Sequence, residues 1–295
     1  MNEKVQAVVV RWRGGDEVRR CLASLIAHGG TSLGSVVLVD SGSGDGGAER
    51  LAAEFADVRV VALAENRSFA HAAGCGVAEG DEPLVLLLNP DAEVRPGSIG
   101  TLVSFLTRSP EAAGAVPILE GIDGVAQYRW QLRKLPTVAR LALGLPGAPA
   151  FKAPPERPTA VAQPAAAAWL VRRTVWDALG GLDPGFVRAW WEDVDFCARL
   201  DAGLKAPGFP ASEPFIVVPQ ARMSHLGGSS VSKLTEPEFL TAFNRNLLLY
   251  ASRHHPHRLA LIRRSLRLSL AGRALLHPSR RAAYRAASAA VAETG

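Results

Sequence analysis

The stretch Pro83-Leu84-Val85-Leu86-Leu87-Leu88-Asn89-Pro90-Asp91 decides the reading of this chain. Its five consecutive apolar residues are too few to span a membrane and match a strand buried on both faces. The strand ends at Asn89-Pro90, because proline has no N–H to give to a ladder. Asp91 follows at once. In open α/β sheets ligands gather at the carboxyl ends of strands, so a functional acid is expected here.

Working outward, Val5–Val10, Ser35–Val39, Val58–Leu63 and Gly114–Ile118 also read as short buried strands. Amphipathic stretches lie between them over Glu17–Ala27, Ala48–Phe55, Phe69–Ala78 and Gly97–Leu106. Asp16, Asp45 and Ser68 are candidate N-caps, and Pro96 a first-turn proline. Repeated βα units predict a mostly parallel sheet with helices on both faces. Residues Leu145–Pro164 carry six prolines and read as a surface loop or linker. Beyond it, Ala165–Val171 reads as a strand and Thr174–Leu179 as a helix stopped by Gly180-Gly181. Trp190–Leu200 reads as a helix and Phe215–Val218 as a strand. From Glu236 apolar residues recur every three or four positions (Phe239, Phe243, Leu247, Tyr250, then Leu259, Ile262, Leu266, Leu270), which predicts helices.

Composition narrows the class. The 295 residues suffice for a sizeable core, and 48% hydrophobic with 21% charged residues is ordinary for a globular protein. Cys21, Cys75 and Cys197 are far apart and form no CxxC, so neither a zinc site nor a disulfide framework is indicated. A reducing cytoplasm fits. The net charge of +5 is uneven: Arg253–Arg285 holds nine arginines and no acid. That segment reads either as a solvated helical face or as an attraction to anionic lipid or another polyanion. Nucleic acid is not expected as a partner, because no recognisable nucleic-acid fold accompanies it.

Gly42-x-Gly44-x-x-Gly47 follows a strand and precedes a helix, with Glu65 beyond it. It formally matches a dinucleotide fingerprint, the signature of an NAD(P)-binding oxidoreductase. Asp40 and Asp45 weigh against it, since they would flank a pyrophosphate where positive potential is needed. So does its place after the second strand. A second acid cluster lies at Trp190-Trp191-Glu192-Asp193-Val194-Asp195. On a helix Glu192 and Asp195 share one side, and Asp193 points about 100° from Glu192. An acid beside aromatic surface has its pKa raised by desolvation, which suits a general base.

These features resemble the inverting family 2 glycosyltransferases of the GT-A fold, and within them the bacterial rhamnosyltransferase branch, over about residues 5–235. Val37-Leu-Val-Asp40-Ser-Gly-Ser-Gly-Asp45-Gly is similar to the family's second-strand signature, and Glu65-Asn66-Arg67-Ser68-Phe69-Ala70 to its nucleotide-lining segment. Leu88-Asn89-Pro90-Asp91 is similar to the branch's form of the DxD motif. Val171-Arg172-Arg173, Gly180-Gly181-Leu182-Asp183 and Glu192-Asp193-Val194-Asp195 are similar to the segments around the catalytic acid, and Ser224-His225-Leu226-Gly227-Gly228-Ser229-Ser230 to a histidine segment. Arg11-Trp12-Arg13, Arg67-Ser68 and Ala73-Gly74 depart from the family pattern.

The resemblance implies an α/β GT-A catalytic domain over 1–232 and a basic helical region over 233–295. The nucleotide half covers about 1–118 and the acceptor half about 119–232. It implies nucleotide contacts from Asp40, Ser41, Asn66, Phe69, Asn89 and Arg11. A divalent cation, Mg²⁺ or Mn²⁺, would sit at Asp91 and His225. Asp193 would be the general base, with Glu192, Asp195, Trp191 and Arg172 on the acceptor or orienting side. The donor implied is dTDP-rhamnose, with a UDP-hexose as the competitor, and the acceptor is a sugar or a lipid-linked sugar, as in cell-wall or polysaccharide synthesis. The place implied is the cytoplasm or the inner face of the plasma membrane, and a homodimer is compatible with all of this.

Overall fold

The computed structural model describes residues 3–188, 190–227 and 233–293. The first half alternates as the sequence predicts. β1 (Val5–Arg11), α1 (Asp16–His28), β2 (Leu33–Ser41), α2 (Gly47–Glu54), β3 (Val58–Leu63), α3 (Phe69–Val77) and β4 (Leu84–Leu88) are followed by β5 (Ala92–Val94), α4 (Ser98–Arg108) and β6 (Ala112–Glu120). Then come α5 (Tyr128–Gln131), β7 (Leu132–Arg133), α6 (Val138–Ala142), β8 (Thr159–Val161), β9 (Gln163–Pro164), β10 (Ala168–Arg172) and α7 (Arg173–Leu179). α8 (Glu192–Gly203), β11 (Glu213–His225), α9 (Glu236–His254), α10 (Leu259–Leu276) and α11 (Arg281–Glu293) complete the described chain.

The main sheet runs β3-β2-β1-β4-β10-β6-β11-β5, with β8 added to β11. Its first four strands are parallel, so Arg11, Ser41, Leu63 and Leu88 all end at one edge. The second half is mixed. The chain crosses over that edge along 134–167 and re-enters the sheet with Ala168 against Leu88, so β10 runs antiparallel to β4. Successive strand side chains face opposite ways. Val9, Leu38, Leu86 and Leu88 pack with Val18, Leu22, Ile99 and Leu102 of α1 and α4. Val8, Val37 and Leu87 pack with Ala70, Val77, Val175 and Phe196 on the other face.

Several boundaries move. β11 is thirteen residues long rather than four, because its far half pairs with β5, a strand too short to announce itself in the sequence. The proline-rich segment supplies β8 and β9, and Gln163 within it is fully buried. α8 starts at Glu192, so Trp190 and Trp191 precede it. Ser68 caps α3 by accepting from the His71 amide. Asp16 is instead the first residue of α1, while Gly46 and Gly97 hold the N-cap positions of α2 and α4. The C-terminal helices share a core with the loop before α8: Phe186, Trp191 and Val194 pack with Phe243, Leu247, Tyr250, Ile262 and Leu266. Among the described residues no helix is long and apolar enough to cross a membrane.

Candidate active site

The carboxyl edge of the parallel strands opens into a cleft of about 510 Å³. One wall carries Trp12, Ser41, Asn66, Phe69 and Asn89, and the other Trp130, Arg133, Trp190, Glu192 and Asp193. The Ser41 hydroxyl donates to Asn66 Oδ1 at 3.0 Å, tying the end of β2 to the segment before α3. The close approach needs Gly42, at φ 63°, where a Cβ would meet the Glu65 backbone at 2.5 Å. Arg13 lies over the Trp12 ring, 5.1 Å from its centroid.

Arg11 and Asp40 are not cleft groups. Arg11 is fully buried; Nη1 donates to Asp40 at 3.0 Å and Nη2 to Asp45 at 2.8 Å. Asp40 also accepts from the Ser43 hydroxyl and amide. A guanidinium closed in this way reaches no nucleotide phosphate, which corrects the expectation for Arg11. Its charge instead holds the Asp45 carboxyl below its ordinary range, through the hydrogen bond to it. The same arrangement argues against the dinucleotide reading. The Gly47 amide at the start of α2 already donates to Asp45 at 2.9 Å. A pyrophosphate would need that donor.

Asp91 and His225 meet because of β-sheet register. His225 pairs with Ala92 across β11 and β5, which sets its Nε2 3.5 Å from Asp91 Oδ1. Both side chains are almost fully buried. His225 Nδ1 lies 2.8 Å from Gln127 Oε1, and Gln127 Nε2 donates to the His225 carbonyl at 2.9 Å. Trp130 stacks on the imidazole with centroids 5.2 Å apart. Nε2 has no hydrogen-bond partner among the described residues. An imidazole nitrogen and a carboxylate aimed together fit a cation that takes its remaining ligands from phosphate oxygens and water. Three or more clustered protein ligands do not occur among the described residues. The Gly228–Ser230 part of the histidine segment lies outside the described residues.

Asp193 sits at the second position of α8 on the opposite wall, 7% exposed. Oδ2 accepts from Gln163 Nε2 at 3.2 Å and the Ala166 amide at 3.4 Å, and Oδ1 from the Val194 amide at 2.8 Å. Arg133 Nε donates in turn to Gln163 at 3.0 Å. Burial raises the Asp193 pKa despite Arg133 and these amides. Burial and the neighbouring Asp193 together push Glu192 up to about 8. A carboxylate of raised basicity facing a cleft is equipped to accept a proton.

The raised Glu192 pKa has a stability signature. Its folded value lies above an ordinary carboxylate, so the folded state binds more protons through that window. Stability from this source is complete below the unfolded pKa and is lost as pH rises toward 8. Thermal midpoints of the wild type are therefore expected to fall from pH 5 to pH 8, and those of Glu192→Gln to fall less. Equal slopes would remove Glu192 as the source.

Asp195 and Trp191 face away from the cleft. Burial would raise the Asp195 pKa, but bonds from His254 Nε2 at 2.8 Å and Arg199 Nε at 2.7 Å outweigh it and hold the group ionised. This joins α8 to α9. Trp191 is 1% exposed, packs on Phe243 and Tyr250, and takes a left-handed φ of 84°. Such backbone costs a bulky residue about 1–3 kcal/mol and persists where packing over-determines it. Here it turns the chain so that the Glu192-Asp193 pair enters the cleft. Arg172 is a correction. It pairs with Leu84 at the amino end of β4, and its guanidinium ties down the Ala112, Leu106 and Ser109 carbonyls. The antiparallel course of β10 carries it to the far end of the sheet.

The sequence reading passed over Trp12, Gln127, Trp130, Arg133 and Gln163. Each lies in a segment without clear periodicity. The one available signal was isolation: Gln163 stands alone among alanine, valine and proline, where a polar residue needs a buried partner.

Comparison with known proteins gives the family and the fold. A family model described as glycosyl transferase family 2 matches residues 7–178. Two Mycobacterium tuberculosis proteins, from strains CDC 1551 / Oshkosh and ATCC 25618 / H37Rv, are each 28% identical over 94% of this chain and 93% of their own. Both are named N-acetylglucosaminyl-diphospho-decaprenol L-rhamnosyltransferase. Among solved structures, S. aureus TarS 1-349 with UDP-GlcNAc superposes with a TM-score of 0.57 at 13% identity, covering 96% of this chain and 79% of that one. GalNAc-T7 with UDP, GalNAc and Mn²⁺ gives 0.58 at 15% identity over 76% of this chain, which spans 43% of that protein's chain. These likenesses give the fold, GT-A, and the family model covers more than half of the sequence. The chain belongs to glycosyl transferase family 2 and is a glycosyltransferase.

Proposed function

We propose that this glycosyltransferase moves L-rhamnose from dTDP-rhamnose to an N-acetylglucosaminyl group carried on a polyprenyl diphosphate, with inversion at the anomeric carbon. The full-length similarity to the mycobacterial rhamnosyltransferases carries the acceptor and the sugar. The dTDP donor rests on the resemblance to the rhamnosyltransferase branch, with a UDP-hexose as the competing donor.

In this reading the nucleotide lies along Ser41, Asn66, Phe69 and Asn89, and the acceptor enters beside Arg133 and Trp190. Asp193 Oδ takes the proton of the acceptor hydroxyl as that oxygen attacks the anomeric carbon. The C1–O bond to the diphosphate breaks on the opposite side, so a single displacement inverts the centre. Such base assistance is worth about 10²–10⁴-fold. Gln163 and the Ala166 amide keep the carboxylate aimed. Asp91 and His225 would hold a divalent cation, which neutralises charge on the departing diphosphate.

A thermal-shift panel of TDP, UDP, GDP and NAD⁺, with and without Mn²⁺, tests the donor. Stabilisation by TDP that grows with Mn²⁺ is expected. Preference for UDP moves the donor to a UDP-hexose, and stabilisation by NAD⁺ alone removes the transferase reading of the cleft.

A further inference from the structure

We infer that the outer face of α10 is an in-plane docking surface for an anionic lipid bilayer. The inner side of this helix, Ile262, Leu266, Leu270 and Ala274, is buried against the protein. The outer side carries Leu261, Leu268 and Leu275, which are 52%, 67% and 72% exposed. At 100° per residue, their seven-residue spacing keeps them within about 40° of one another. Leu276, also exposed, ends the helix about 100° round from Leu275. Single exposed leucines are ordinary, but an aligned row is not.

Charge names the occupant. Arg264 and Arg267 border the stripe, and Arg258 stands just before the helix. All three are exposed and make no ion pair among the described residues. No acid occurs from Arg253 to Arg285. A second copy docking by two-fold symmetry would set these arginines against each other. Nucleic acid would take the arginines and leave the leucines wet. Anionic headgroups over an acyl boundary satisfy both, as for helices that lie in the interface plane.

The position serves the cleft. α10 packs on α6, whose cap Thr137 lies four residues beyond the cleft residue Arg133. Leu143, which ends α6, is exposed, and its carbonyl accepts from Ser269 and Arg273 of α10. The inference rests on the lipid-linked acceptor proposed above for its purpose, but flotation uses neither donor nor acceptor and so fails or succeeds independently.

The test is flotation of the full chain with phosphatidylglycerol-containing vesicles and with pure phosphatidylcholine vesicles. The wild type is expected to float with the anionic vesicles only. Leu268→Glu with Leu275→Glu, and separately Arg264→Glu with Arg267→Glu, should each lower the bound fraction about tenfold or more. Both pairs lie at exposed sites, and unchanged circular dichroism and melting confirm the fold. Equal binding to neutral vesicles, no binding by the wild type, or full binding by the leucine variant overturns the inference. A wild-type dimer that the leucine variant converts to monomer, with flotation unchanged, assigns the face to a second copy and also overturns it.

Discussion

Asp193→Asn is expected to lower kcat about 10²–10⁴-fold while leaving nucleoside-diphosphate affinity nearly unchanged. The substitution is close to isosteric, removes the ability to accept a proton and turns one accepting oxygen into an NH2. With its oxygen in the Oδ2 position the amide keeps the bonds from Gln163 and Ala166 and gives up only the bond from the Val194 amide, and circular dichroism and melting check that the first turn of α8 keeps its shape. In the proposed function the nucleotide lies along the other wall, which is why binding and turnover should separate. Isothermal titration with the nucleoside diphosphate and single-turnover transfer measure the two. A variant that keeps a tenth of the wild-type rate excludes Asp193 as the base. Gln163→Ala supplies an internal control. It deletes the Nε2 donor to Asp193 and unpairs Arg133 Nε in one step. A smaller rate loss is expected, with the apparent pKa of the rate moved upward because a bond to the charged form is lost.

Local chemistry explains which parts of this molecule could be read from its sequence. β1, β2 and β4 were legible because a buried parallel strand is a continuous apolar run, and β3, an edge strand with only Val58 buried, through its β-branched residues; the acids and polar groups that end these runs fall at the sheet edge by topology alone. Ser41, Asn66 and Asn89 reach the cleft for that reason, whereas Asp193 enters it from the first turn of α8. Arg11 was misread because the sequence cannot tell a phosphate ligand from an internal counterion. The deciding facts are the two carboxylates, 29 and 34 positions away, that close around it. Arg172 was misread because strand direction decides which end of the sheet a residue reaches, and β10 runs against its neighbour β4. Gln127 has no mark in the sequence, and Gln163 only its isolation, for a related reason. The half-buried Gln127 and the buried Gln163 are held by partners 98 and 30 residues distant.

The second large effect is expected at the cation pair. Gln127 decides the state of His225. Its Nε2 donates to the His225 carbonyl, so its Oε1 faces Nδ1 and can only accept. Nδ1 must therefore carry the proton, and Nε2 presents a lone pair toward Asp91. A lone pair facing a carboxylate is repulsive unless a cation stands between or beside them. Outer partners of this kind are typically worth about 10–100-fold in metal affinity. Mn²⁺ binding in the presence of nucleoside diphosphate, read from the electron paramagnetic resonance of the free ion, is expected to weaken by that factor in Gln127→Ala. It should weaken further in His225→Ala and Asp91→Ala. The fold should survive, since each change leaves the β11–β5 ladder intact. Nucleotide affinity measured in EDTA should be nearly equal in all four proteins, because without metal the pair has nothing to offer a diphosphate. If Asp91→Ala loses affinity equally with EDTA and with Mn²⁺, the pair is a buried ion pair rather than a cation site. Charge on the leaving diphosphate then falls to the arginines of the cleft.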